Sequence, residues 1–212
     1  MIRRVKDLRS RLWDWRLGIE TTGECRPPDT SRFKDARKSG SLDYGIIAYH
    51  LRLLEIQPSD IVYDIGCGLG RPLCMFARTR AMRCVGIELD PEIAWAARTN
   101  AARLISRRAE IEVRQGDAAD AEYDGGTVFW LGNPFGPKTL AAVLDKIRLS
   151  VRAQPRAVRF CYINPESEEA FAAATWLRRY RQTKMILHPI GHASFWRNQQ
   201  EQSFSPDAIE RS

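Results

Sequence analysis

No apolar run in the sequence approaches the roughly 20 residues that a bilayer-spanning helix needs, so a helical membrane protein is excluded and a soluble chain is expected. The C-x-x-C pair is also missing. Five cysteines (Cys25, Cys67, Cys74, Cys84 and Cys161) are odd in number and widely spaced, which argues against a disulfide framework and a zinc site and predicts reduced, mostly buried thiols. Histidine is scarce. His188 and His192 stand four apart, but Pro189 and Gly191 forbid the regular helix that would pair them on a metal, and His50, among Tyr49, Leu51 and Leu53, reads as packing. No metal is therefore expected. Internal repeats and low-complexity tracts are absent. The opening MIRRVKDLRSRLWDWRLGIE carries the positive charge of a signal peptide without its apolar stretch or cleavage site, so a cytoplasmic location is expected.

What is present is an ordinary apolar content over 212 residues, enough for one well-buried domain with an appendage. Lysine and arginine number 33 against 26 acids, a formal charge of +7, which suits an acidic partner but equally clothes solvated helix faces. Ile2, Val5, Leu8, Leu12, Trp15 and Ile19 recur at helical spacing, with arginines and Lys6 on the other faces. Such a helix packs on its own domain or a partner subunit more often than it lies on a membrane surface, and the first reading is preferred. TTGECRPPDTSRFKDARKSGS reads as a loop or linker, so residues 1–40 form an appendage and residues 41–212 the domain.

From Ser41 onward, apolar β-type runs alternate with helical stretches, the pattern of a parallel sheet covered by helices. A helix from Tyr44 to Glu55 leads in. Strands are predicted at Ile61–Ile65, Arg83–Ile87, Ile111–Gln115, Thr127–Leu131, Val158–Ile163, Met185–Pro189 and Ala193–Arg197. Helices are predicted near Pro72–Arg80, Pro91–Arg107, Pro137–Ala153 and Glu166–Arg181. Asp90 before Pro91 reads as an N-cap, and the last helix opens on glutamates and closes on arginines, matching its dipole.

Gly66, Gly68 and Gly70, with Cys67 between the first two, follow the first strand, where an open α/β sheet binds ligands. A dinucleotide fingerprint needs a glycine at position 71, which is arginine, and no G-K-[ST] follows to make a phosphate loop. DIGCGLG after the first strand, GIELD after the second and RQGDA after the third together resemble the class I S-adenosylmethionine-dependent methyltransferases, over roughly Tyr44 to Pro165. That resemblance implies a Rossmann-like, seven-stranded, mostly parallel sheet with helices on both faces and the last strand antiparallel. It also implies S-adenosylmethionine as cofactor. By the same resemblance Asp64 would hold the methionine ammonium, Glu88 the ribose hydroxyls, and Asp117 with the Ala118 N–H the adenine, while the glycines let the backbone pass close to the ligand. Tyr44 falls where many such enzymes fold over the methionine end. Taken singly, the glycines also make a tight turn, Glu88 a solvated carboxylate and Asp117 a turn cap.

The fourth strand runs into FWLGNPFGPK, where the family places its substrate-facing motif. Members that methylate amino groups carry Asn or Asp followed by Pro-Pro-Phe/Tyr. By that likeness Asn133 and the Pro134 carbonyl would accept hydrogen bonds from a target nitrogen and Phe135 would cover it, a mechanism of placement and desolvation without a covalent intermediate. One proline instead of two departs from the nucleobase enzymes and resembles a bacterial group that pairs N-P-F with a later Y-x-N-P, here Tyr162 to Pro165. The acceptor stays open among protein amine, small metabolite, sugar and nucleic acid, and NPFG is also a plausible structural turn. The competing function is a catalytically silent S-adenosylmethionine-binding protein that senses or scaffolds.

Overall fold

The computed structural model describes residues 2–22, 35, 41–184 and 192–199. Seven strands lie in the order β3-β2-β1-β4-β5-β7-β6. Their ranges are β1 Ile61–Ile65, β2 Arg83–Glu88, β3 Glu110–Gln115, β4 Val128–Leu131, β5 Arg159–Ile163, β6 Leu177–Thr183 and β7 Ala193–Asn198. The first five pair in parallel, and β7, last in sequence, runs antiparallel to both β5 and β6. The helices are α1 Ile2–Leu17, α2 Tyr44–Leu54, α3 Arg71–Phe76, α4 Pro91–Arg103, α5 Pro137–Ala153 and α6 Glu168–Ala173.

Central strands of a parallel sheet are buried on both faces, and their side chains divide accordingly. Val62, Val128 and Trp130 pack with Leu17, Ile47, Leu54 and Phe76, beneath α1, α2 and α3. Tyr63, Ile65, Phe129 and Leu131 pack with Leu140, Leu144, Ile147 and Phe171, beneath α5 and α6. Asp90 caps α4 as its sequence predicts, accepting from the N–H groups of Glu92 at 2.8 Å and Ile93 at 3.0 Å. His50 is a packing residue. It is fully buried against Trp130 and Phe195, with Nδ1 2.9 Å from the Ile46 carbonyl and Nε2 3.0 Å from Thr183 Oγ1.

The helix predicted over Glu166–Arg181 is a correction. Only the six residues of α6 are helical, and the arginine-rich stretch after Trp176 is the edge strand β6. Its glutamate-first, arginine-last charge order suits a helix, but pairing with β7 from Leu177↔Asn198 to Thr183↔Ala193 overrides local preference, and a bulge between Arg179 and Arg181 adjusts the register. The predicted strand Met185–Pro189, His188 and Cys25 lie outside the described residues, whereas the strand expected at Ala193–Arg197 is β7.

The stripe of α1 also differs from expectation. Leu8, Leu12 and Trp15 point outward, while Ser10, Asp14 and Leu17 on the opposite face are buried. Leu17 and Ile19 join the same core as α2 and α3.

Burial lowers the pKa of His50, so the ring is neutral in the fold. A carbonyl only accepts, so Nδ1 carries the proton and Nε2 accepts from the Thr183 hydroxyl, which in turn accepts from Ala193 N–H at 3.2 Å. Thr183→Val removes the donor to His50 Nε2 inside the core and is expected to cost about 1–3 kcal/mol in urea unfolding. Because the folded pKa is depressed, the unfolded chain takes up more protons as pH falls below about 6.5, and the stability that His50 contributes above that pH is lost on acidification.

Candidate active site

A cavity opens at the carboxyl ends of β1, β2 and β4, at the place where strand order reverses between β1 and β4. Asp64 stands at the penultimate position of β1, beside Trp130 of β4 in register. One of its oxygens, Oδ2, is buried without a hydrogen-bond partner. Burial first, and then the charge of Glu88, push the Asp64 carboxyl up to about 8, although a backbone bond at Leu73 pulls the other way.

Glu88 ends β2. Its Oε2 accepts from Gly68 N–H at 2.8 Å and its Oε1 from Asp90 N–H at 3.1 Å. Burial raises its pKa against these two bonds and a third from the Leu89 backbone. Each oxygen keeps a further lone pair for a ligand. The cavity thus has two buried carboxylates in its lining and no acid-paired cation directed at them. Arg71 also lines it, yet the guanidinium bonds Thr21 Oγ1 at 2.7 Å, the Leu42 carbonyl at 2.8 Å and Thr22 Oγ1 at 2.9 Å, and lies 3.8 Å from Asp14.

The turn between β1 and α3 begins with Gly66 and Cys67, whose N–H groups both bond the Ile87 carbonyl at 2.9 Å. Gly66 has φ +73°, and a β-carbon there would stand 2.3 Å from Pro134 Cβ. Its need for glycine is therefore the close approach of the NPF turn, before any ligand is considered. Gly68 and Gly70 also take positive φ, and Gly70 immediately precedes α3. Cys67 is buried in the lining, with its thiol pushed well above the ordinary range by burial.

Asn133 follows β4 at φ +60°, and its Oδ1 accepts from the Tyr162 hydroxyl at 2.9 Å. That hydroxyl accepts from Ser167 N–H at 3.3 Å, so the amide of Asn133 is held from behind by a fully buried phenol. Pro134 and Phe135 line the cavity beside it. Asp35, reaching in from the linker, caps α5 just after this motif: Gly136 N–H bonds its carbonyl and Thr139 N–H its Oδ2, each at 2.9 Å.

The structure gathers Asp64, Gly66, Cys67, Gly68, Glu88, Ala118, Asn133, Pro134 and Phe135 around one cavity. Three predicted residues stand back from it: Gly70, at the N-cap of α3, Asp117 and Tyr44. Asp117 Oδ1 accepts from Ala119 N–H at 2.9 Å, a turn-capping bond, and its neighbours Gly116 and Ala118 provide the lining. Tyr44 is buried behind the wall, donating to Asp14 with Arg71 4.6 Å over its ring, and Ser41 and Leu42 supply the surface instead. Desolvation and Asp14 raise the Tyr44 pKa.

Sequence reading missed the role of Asp14. Besides Tyr44, it accepts from Thr21 N–H at 2.8 Å, Thr21 Oγ1 at 2.7 Å and Thr22 Oγ1 at 2.8 Å. Through Arg71 this ties the N-terminal segment to the glycine turn. The sequence carried no signal for it, because Asp14 sits opposite Leu8, Leu12 and Trp15 on a helical wheel, the face that the apolar stripe assigns to solvent. Among the described residues no group of three His, Cys, Asp or Glu could hold a metal.

The raised Asp64 pKa makes a prediction for the ligand-free protein. Between about pH 4 and 8 the unfolded chain has lost this proton while the folded one retains it, so the Asp64 contribution to stability is full at low pH and declines as pH rises toward 8. Asp64→Asn is expected to be more stable than the wild type in urea at pH 8, with the difference vanishing near pH 4.

Residues 62–152 match the family described as "Methyltransferase domain". The 23S rRNA (uracil(1939)-C(5))-methyltransferase RlmD of Xanthomonas campestris is 35% identical over 97 residues, covering 46% of this chain and 20% of that protein. The ribosomal protein L11 methyltransferase of Cupriavidus taiwanensis is 34% identical over 125 residues, covering 58% of this chain and 39% of that protein. The chain thus spans well under half the length of these curated relatives. A solved RNA methyltransferase from Salinibacter ruber, in complex with S-adenosyl-L-homocysteine, superposes with a TM-score of 0.59 at 25% identity, over 76% of this chain and 95% of that one. A ribosomal protein L11 methylase from Lactobacillus delbrueckii shares the fold, with a TM-score of 0.54 at 13% identity over 73% of this chain and 77% of that one. Residues 62–152 are thus similar to a methyltransferase domain, and the seven-stranded sheet that carries them is the fold of solved methyltransferases.

Proposed function

We propose that the protein transfers a methyl group from S-adenosylmethionine to an amino nitrogen at the Asn133 edge of the cavity. The unpartnered oxygen of Asp64 carries the cofactor assignment: a buried carboxylate beside a second one, Glu88, fits a ligand bearing an ammonium and a sulfonium. Bound there, the cofactor supplies an electrophilic methyl group. Asp64 binds the ammonium, Glu88 the ribose hydroxyls through its remaining lone pairs, and Gly116 with Ala118 borders the base.

The acceptor assignment rests on Asn133. Tyr162 occupies one lone pair of Oδ1 and fixes the amide, leaving the other to accept an N–H, with the Pro134 carbonyl as a second acceptor. Two accepted N–H bonds direct the nitrogen lone pair toward the methyl group, and placement of that kind is most of what the reaction needs. A pyrimidine carbon, as in the name of the uracil-C(5) relative, requires nucleophilic activation of the ring. The described cysteines offer none, since Cys67, Cys74, Cys84 and Cys161 are all buried with thiol pKa values raised by desolvation. The relatives' named targets, rRNA and a ribosomal protein, keep both a nucleic-acid base amine and a protein amine within the class.

Tritiated S-adenosylmethionine incubated with the protein and a cell lysate tests this reading. Label that survives alkali and elutes as an N-methylated residue or base supports it, and alkali-labile methyl esters refute it. With the acceptor in hand, Tyr162→Phe is expected to leave cofactor affinity within a few-fold by calorimetry and to slow single-turnover transfer by about 10- to 100-fold. Unchanged turnover would remove Asn133 from the acceptor site.

A further inference from the structure

The first helix has two unlike faces. At about 100° per residue, Leu8, Leu12 and Trp15 fall within an arc of about 60°, with Arg11 on one flank and Arg16 and Arg9 on the other. These three apolar side chains are 71%, 57% and 76% exposed. Ser10, Asp14 and Leu17, on the opposite face, are buried and fasten the helix to the core. Every exposed residue from Leu8 to Arg16 is leucine, tryptophan or arginine, and the one acid in that stretch, Asp14, is turned inward. The patch continues past the helix end. Ile105, 54% exposed, lies against Gly18 and bonds the Leu17 carbonyl through its N–H at 2.9 Å; Arg103, Arg107 and Arg108, near it in sequence, are exposed, and Arg103 shares a shallow depression with Trp15, Gly18 and one exposed acid, Glu20.

We propose that this face of α1 binds the surface of an anionic phospholipid bilayer, with Leu8, Leu12 and Trp15 at the acyl-chain boundary and the flanking arginines at the phosphates. An apolar ridge bordered on both sides by cations matches the layering of a bilayer interface, where apolar and anionic zones lie a few ångströms apart. Tryptophan favours that boundary. A second copy of the chain fits poorly, because a two-fold contact would set arginine flank against arginine flank. RNA fits the arginines and stacks on tryptophan, but two leucines one turn apart offer nothing to a hydrated polyanion.

Co-sedimentation of the full chain with vesicles tests the proposal, comparing pure phosphatidylcholine with phosphatidylcholine containing phosphatidylglycerol. Binding is expected only to the anionic vesicles, with reversal in high salt. Leu12→Gln combined with Trp15→Gln is expected to abolish it, and Arg11→Gln or Arg16→Gln to weaken it about fivefold each. These side chains are exposed, so melting temperature and S-adenosylmethionine affinity serve as controls that the fold and the cavity are intact. Absence of binding to anionic vesicles by a folded wild-type chain overturns the proposal. So does a dimer, or an rRNA complex, that the Leu12/Trp15 double variant disperses while vesicle binding is unaffected by it.

Discussion

Two carboxyl groups, Asp64 and Glu88, buried at neighbouring strand ends with no ion pair to either among the described residues, are the constraint on which the cavity depends. Asp64 and Glu88 lie at the ends of neighbouring parallel strands, where backbone N–H groups at the start of the next turn can hold Glu88 but leave one oxygen of Asp64 bare. Such an arrangement lowers the stability of the empty protein, since a buried charge without a partner is costly, and the carboxyl responds by holding its proton up to about pH 8. A cationic ligand would favour the ionised form of Asp64 and so offset the cost that burial sets on that charge.

Among the described residues of the lining, the one cation is directed away from these acids. Arg71 follows the glycine turn directly, within the same wall as Asp64, yet its hydrogen bonds run to Thr21, Thr22 and Leu42 and its charge faces Asp14. Asp14 is itself held by both threonines and Tyr44. The effect is geometric as well as electrostatic, because the same arginine secures the Ser41–Leu42 segment that forms one side of the cavity. A helix that looks like an appendage in the sequence supplies the counter-charge that lets an arginine sit beside the site without neutralising it.

What the sequence revealed, and what it hid, follows from how local each feature is. Buried parallel strands are short apolar runs bounded by glycine or proline, so β1 to β5 were legible along with the acids at their tips. Helix–strand choice after Ala173 was not, because LRRYRQT becomes a strand only through pairing with β7, and nothing within seven residues announces a partner. The Asp14–Arg71 pair spans 57 positions and was invisible to spacing arguments. Asp117, assigned from a motif, has its carboxylate engaged at the turn, and its neighbours Gly116 and Ala118 line the cavity there.

The Gly66–Pro134 contact joins the two halves of the site. Motifs 68 residues apart meet so closely that a methyl group does not fit between them, which couples the position of the glycine turn to that of the NPF turn. Asn133 is then fixed from three sides: by its own left-handed backbone, by Pro134 against Gly66, and by Tyr162 from the adjacent strand. A reaction that proceeds by in-line placement gains from this rigidity, because an error of an ångström between methyl donor and acceptor lowers the rate far more than it lowers binding. The room beside Gly66 admits Pro134 and no side chain at position 66, so the NPF turn and the glycine turn form one pre-shaped wall of the cavity.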